Sequence, residues 1–264
     1  MMQRTVIVLV ALGLMLTVGC RNNDAAPTAK PTTMEAEAPV TPSAQDTNDC
    51  LTRDSCSLAC PDNTKLLSNV EGMACMKGDQ PTGTSYRWYP SGERKMMWVY
   101  KADVIEQRVG WYQSGQKKDV LTKTQHEEWY ENGVRKSLSV GTNLDSFMSK
   151  NYTLTEWHEN GLKKSVVTYR NGKSHGIERS FYENGNKSME AEMFEDKLHG
   201  RHTSWYENGQ ISSTANYTND KLDGAVNTWH PNGQKKSEAQ YKEDQLLSQT
   251  CWDEKGAKIP CPKP

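Results

Sequence analysis

Gly172-Lys-Ser-His-Gly176 has the Gly-x-Ser-x-Gly spacing of a nucleophile elbow, in which a tight strand-to-helix turn presents a serine for acyl transfer. The neighbouring chain argues against that chemistry. No helical pattern follows it, and the same stretch returns as Asp196-Lys-Leu-His-Gly200 and Asp220-Lys-Leu-Asp-Gly224 without the serine. It reads as a turn in a β-repeat. Glutamates at 131, 159, 183 and 207 invite a paired-carboxylate reading, yet each falls once per repeat beside a turn and reads as a solvated residue. Histidines behave alike: His158 and His230 share one slot, His175 and His199 another. Equivalent slots two strands apart lie roughly 10 Å from each other, too far to share a zinc bound at about 2 Å. No phosphate loop, His-Glu-x-x-His or dinucleotide fingerprint occurs. The expectation is a chain with no catalytic residues, no metal and no cofactor.

Seven cysteines suggest another kind of chemistry. Arg4 precedes an apolar run from Val6 to Val18, shorter than the roughly 20 residues of a membrane span. The run ends in Leu16-Thr-Val-Gly-Cys20, which resembles a lipobox, although Thr17 stands where leucine is usual. That resemblance implies lipid attachment at Cys20 and cleavage before it. The other six form an even set, which in an exported chain implies disulfides. Cys251 and Cys261 should pair with each other. Cys50, Cys56, Cys60 and Cys75 allow three connectivities, with Cys60–Cys75 and Cys50–Cys56 favoured by proximity. No Cys-x-x-Cys occurs that would favour zinc.

The elements that carry these residues repeat. Trp88-Tyr-Pro-Ser-Gly-Glu-Arg-Lys95 is followed by related octets starting at Trp111, Trp129, Trp157, Phe181, Trp205 and Trp229, and by a decayed copy at Trp252. From Trp157 to Trp229 the spacing is 24 residues; Trp111 to Trp129 is 18, and Trp129 to Trp157 is 28 with an insertion around Asn143 to Ser149. Fixed periodicity of this kind marks a repeat array. Each unit has two turns, so it reads strand–turn–strand–turn. The first turns contain Asn132-Gly133, Asn160-Gly161, Asn184-Gly185, Asn208-Gly209 and Asn232-Gly233, and Asn-Gly is a strong hairpin signal. Two-residue loops would set Trp129 against Lys136, Trp157 against Lys164 and Trp229 against Lys236. A type I turn with a glycine bulge would shift that register by one residue, and sequence leaves the choice open. Lysine stems lying on indole faces would add cation–π attraction. The predicted fold is all-β: an antiparallel meander of about eight hairpins, as a twisted elongated sheet or solenoid stapled by disulfides at both ends.

The Trp-Tyr-Glu-Asn-Gly-x-Lys-Lys unit and its second turns resemble the bacterial MORN-variant repeat, common in antitoxin-labelled proteins of toxin–antitoxin systems. The resemblance runs from about Tyr86 to Ile259 and implies contacts with proteins or membrane surfaces, not catalysis. Five segments are expected: a signal peptide 1–19, a lipidated tether 20–49, a Cys-rich cap 50–85, repeats 86–250, and a C-terminal cap 251–264. The tether is poor in large apolar residues, a composition that cannot offset its ordering entropy.

A net charge of −1 lacks the basic excess of a nucleic-acid binder. The function expected is a non-enzymatic, lipid-anchored protein that holds a protein partner at the cell envelope, at the outer membrane, with toxin neutralisation as a special case. The alternative is a cell-wall or glycan-binding module. Trp111, Trp129, Trp157, Trp205 and Trp229, with Lys136, Lys164 and Lys236, are the candidate binding residues.

Overall fold

The computed structural model describes residues 52–54, 56–102, 104–141 and 151–262. The expected signal peptide, Cys20, the tether, Cys50 and the insertion near Asn143 lie outside the described residues. Nineteen strands follow in order. They are β1 (Lys65–Ser68), β2 (Gly72–Lys77), β3 (Gln80–Trp88), β4 (Arg94–Lys101), β5 (Val104–Trp111), β6 (Lys117–Thr122), β7 (Gln125–Trp129), β8 (Arg135–Gly141), β9 (Tyr152–Trp157) and β10 (Lys163–Arg170). Then come β11 (Lys173–Phe181), β12 (Lys187–Phe194), β13 (Lys197–Trp205), β14 (Ile211–Thr218), β15 (Lys221–Leu222), β16 (Gly224–Trp229), β17 (Lys235–Lys242), β18 (Gln245–Trp252) and β19 (Lys258–Ile259).

Apart from β15 and β16, each strand is antiparallel to the next, in one open sheet. β15 and β16 are two pieces of one interrupted strand, both paired with β14. The meander read from the repeat is the fold that forms.

Of the two first-turn geometries that the sequence left open, the bulged one forms. In the first turn, Gly209 N donates to Tyr206 O at 2.9 Å and Tyr206 N to Gln210 O at 2.8 Å. Only the glycine is left-handed, at φ 84°. This is a type I turn closed by a glycine bulge. The register is therefore the shifted one: Trp129 faces Arg135, Trp157 faces Lys163 and Trp229 faces Lys235, not Lys136, Lys164 and Lys236. Two-residue loops with both residues at positive φ occur instead at the second turns. They are Asn171-Gly172, Glu195-Asp196, Asn219-Asp220 and Glu243-Asp244.

Among the described residues the single sheet has two faces and no second layer of sheet or helix, so burial is local. Opposed residues on neighbouring strands share a face. One face carries the lead aromatics. The other carries a row, ten residues after each, that is small in the later repeats: Ala191, Ala215 and Ala239, with 1–7 % exposure.

At the N-terminal end Cys56 and Leu58 pack against Tyr86 and Trp88, covering the aromatic face. Cys60–Cys75 anchors this cap, and Cys251–Cys261 ties the tail to β18, both as expected. Cys56 is disulfide-bonded. Terminal units of a repeat array lack a neighbour, so cross-links there act where stacking is weakest.

Candidate binding surface

The second aromatic of each octet turns out to be a fastener. Tyr89, Tyr112, Tyr130, Tyr182 and Tyr206 donate their hydroxyls to the main-chain oxygen of the next octet's lead residue, at 2.7–3.0 Å. His158 and His230 contact Phe181 O and Trp252 O through Nε2 at 3.0 Å in the same slot. This explains why that position holds Tyr or His, which have polar tips, in the seven octets before the decayed copy at Trp252.

Turn asparagines add a second link. Asn184 Nδ2 donates to Glu207 O at 2.9 Å and Asn208 Nδ2 to Pro231 O at 3.0 Å, while Asn208 Oδ1 accepts Gln210 N. On the opposite side of the sheet Asp196, Asp220 and Asp244 accept main-chain N–H bonds from Ser174, Leu198 and Leu222 at 2.7–2.8 Å. Their own N–H groups return bonds to the same three residues. Both sides of the array are thus hydrogen-bonded from unit to unit.

The cations divide by role. In four units the first cation lies against the next unit's aromatic: Arg94 at 3.9 Å from the Trp111 ring centre, Arg135 at 5.2 Å from Trp157, Lys187 at 4.8 Å from Trp205 and Lys235 at 5.9 Å from Trp252. Expected attraction within one hairpin is replaced by attraction between units, because the bulge moves the register by one. The second cation, Lys118, Lys136, Lys164 or Lys236, is exposed, although Lys95 and Lys118 also reach the tyrosine of their own octet, at 5.4 and 5.6 Å from the Tyr89 and Tyr112 ring centres.

Of the candidate indoles, Trp111 and Trp157 are 3 % and 4 % exposed, and Trp129, Trp205 and Trp229 are half-buried. The repeated indoles therefore form packing, not an open aromatic ladder. Glu131, Glu159, Glu183 and Glu207 are exposed beside their turns.

Ser174 of the Gly-x-Ser-x-Gly segment lies in β11, 8 % exposed, bracketed by strand and turn. The geometry of a nucleophile elbow is not formed there. His175 and His199 flank Phe194 at 5.1 and 5.9 Å between ring centres. Among the described residues no three His, Cys, Asp or Glu side chains are grouped to hold a metal ion.

Burial alters two side chains on the small-residue face. It raises the Glu178 carboxyl above its ordinary value and lowers the His202 imidazole below its own. Burial works against ionisation of Glu190 as well, but hydrogen bonds from Lys187 and Arg179 outweigh it and lower that carboxyl.

Three successive units, at residues 174–195, 198–219 and 222–243, match a family model. They are MORN repeat variants. Each matched MORN unit spans a strand, the glycine-bulge turn and the returning strand. Its edges fall at the two-residue second turns. MORN repeats are interaction modules for proteins and membranes, without catalytic machinery of their own. No curated protein matches the chain.

The reading from sequence missed the aspartate links, whose signal was the Asp recurring every 24 residues at 196, 220 and 244. It also passed over Trp98. Seven of the eight tryptophans lead octets; Trp98 does not, and it lies on the other face, opposite Ser85 and Arg108.

Proposed function

We propose that this chain is a lipid-anchored protein of the bacterial cell envelope, at the outer membrane, whose MORN units hold a protein partner. Neutralising a toxin is the special case. The observation that carries the reading is the column of exposed second cations: Lys118, Lys136 and Lys164 recur in three consecutive units. Each is more exposed than the cation before it, Lys117, Arg135 or Lys163, and Arg135 lies against Trp157, so the second cation is the one turned to solvent where a partner can reach it. At two strands per unit such charges recur roughly every 10 Å, a repeated contact that gains from multivalency. The partner that fits is an acidic protein surface. Cys20, after its apolar run, is the residue expected to carry the lipid.

Crosslinking the native protein in intact cells, followed by mass spectrometry, tests the partner. One dominant acidic protein, lost when Lys118, Lys136 and Lys164 are all replaced by Glu, is the expected result. Capture that survives that triple change overturns the reading. Labelling with a clickable palmitate analogue tests the anchor, and Cys20→Ser should abolish the label.

A further inference from the structure

We infer that the small-residue face at the N-terminal end binds a saccharide ring bearing a carboxylate, with Trp98 as its platform and Arg87 as its cation. The inference stands apart from the protein-partner reading and uses the opposite face of the first unit.

The repeat itself marks the place. The slot ten residues after each lead aromatic holds Leu121, Ser139, Val167, Ala191, Ala215 and Ala239, and in the first unit it holds Trp98. A bulky, half-buried indole stands where later units carry a small or aliphatic side chain. Around it opens a depression of about 470 Å³, within the size range of small-molecule sites. Register sets out its parts. Leu67, Ala74, Ser85 and Trp98 lie in one cross-strand row over β1 to β4. Ala74 and Ser85 are the small floor, and Leu67 and Trp98 stand at either side. Tyr100 adds a second aromatic, and Asn69 and Glu71 supply hydrogen-bonding groups at the rim. An apolar ring face with polar groups around its edge is the chemistry of a sugar, whose C–H face packs on an aromatic and whose hydroxyls need donors and acceptors.

Arg87 specifies the charge. Its guanidinium lies 5.5 Å from the centre of the Trp98 ring, and the residue is exposed. Opposite it in β2 is Gly72, where an added Cβ would stand 3.3 Å from Arg87 Cγ and 2.8 Å from Tyr86 O. The glycine leaves room for the arginine stem to cross the strand. An exposed arginine stacked over part of the indole is suited to a carboxylate, which it can bind through two parallel N–H bonds while lying against the ring.

The test is calorimetric titration of the full chain with three probes: the disaccharide of N-acetylglucosamine and N-acetylmuramic acid, digalacturonate, and neutral chitobiose. At least one carboxylated probe should bind with Kd in roughly the 10 µM to 1 mM range, and chitobiose at least about tenfold more weakly. Trp98→Ala should weaken binding by at least about tenfold, and Arg87→Gln should erase the preference for the carboxylated sugar. Trp98→Ala and Trp98→Leu reproduce what Ala191 and Leu121 already provide in later units, so both should fold; matching thermal unfolding confirms it. Absence of heat from all three probes at about 10 mM, equal binding of chitobiose, or binding that survives Trp98→Ala overturns the inference.

Discussion

The hydroxyl of Tyr206 donates to the carbonyl oxygen of Trp229 at 2.7 Å, joining the second aromatic of one unit to the first of the next. Tyr206→Phe removes the donor and leaves a half-buried carbonyl without its partner, a loss of about 1 kcal/mol in urea unfolding. Tyr206→His should cost less, since His158 and His230 make the equivalent contact. Equal costs for the two variants would show that ring volume, not the polar tip, sets this position.

The shifted register separates neighbouring cations. Arg94 lies over Trp111, so Arg94→Gln should lower stability by about 1–2 kcal/mol through loss of cation–π contact and stem packing. Lys136 is exposed, and Lys136→Gln should change stability by no more than about 0.5 kcal/mol. Chemical denaturation of both variants decides it, and a larger loss at Lys136 contradicts the bulged turn.

The turns respond in opposite senses. Gly209 sits at φ 84°, where an added Cβ is strained, so Gly209→Ala should destabilise by about 1 kcal/mol or more. Glu243 holds φ 47° with a side chain poorly suited to it. Asparagine tolerates that region better, so Glu243→Asn should stabilise by roughly 0.5 kcal/mol. Melting temperatures that move the same way in both variants contradict the assignment of turn types.

How much of this was legible in the sequence follows from what each signal reports. The lead aromatic and the bulge glycine recur at fixed spacing, so the meander and its period could be read directly. Asn-Gly reports that positive φ is tolerated, not how many residues adopt it; the glycine alone does so in the first turns. Nothing about Glu195 or Glu243 signals a left-handed residue, because their conformation is imposed by the two-residue closure and by the aspartate links beyond. Those links, like the tyrosine hydroxyl bonds, join residues 17 or more positions apart, and alternation within one strand cannot reveal them. Trp98 was visible as a tryptophan out of phase, but its significance depends on which face it occupies.

Acidification should weaken the array through His202. Its imidazole is half-buried on the small-residue face and lies against Tyr217 at 6.0 Å between ring centres. Burial lowers its proton affinity below the ordinary 6.5. The stability it contributes is therefore fully present above about pH 6.5 and falls as the pH drops through the folded-state value, because the unfolded chain takes up the proton first. His202→Gln should flatten this part of the stability–pH curve. Urea titrations at pH 7.5 and 5.5 on both proteins would check it, and an unchanged slope would remove His202 as the cause.

The tyrosine bonds survive both irregular steps: Tyr112 reaches Trp129 at 2.9 Å across the short unit, and Tyr130 reaches Trp157 at 3.0 Å across the long one. Length variation is absorbed on the side of the second turns, while the side of the glycine-bulge turns keeps its pitch. The protein thus behaves like a zip fastener with one toothed edge and one elastic edge. Whole units can be duplicated or excised with the teeth re-engaging, and loops can lengthen on the elastic edge without moving them. Every tooth also points the same way, donor in the earlier unit and acceptor in the later, so the chain has a direction of growth. A unit copied into the middle finds partners on both sides, whereas one inserted in reverse order finds none.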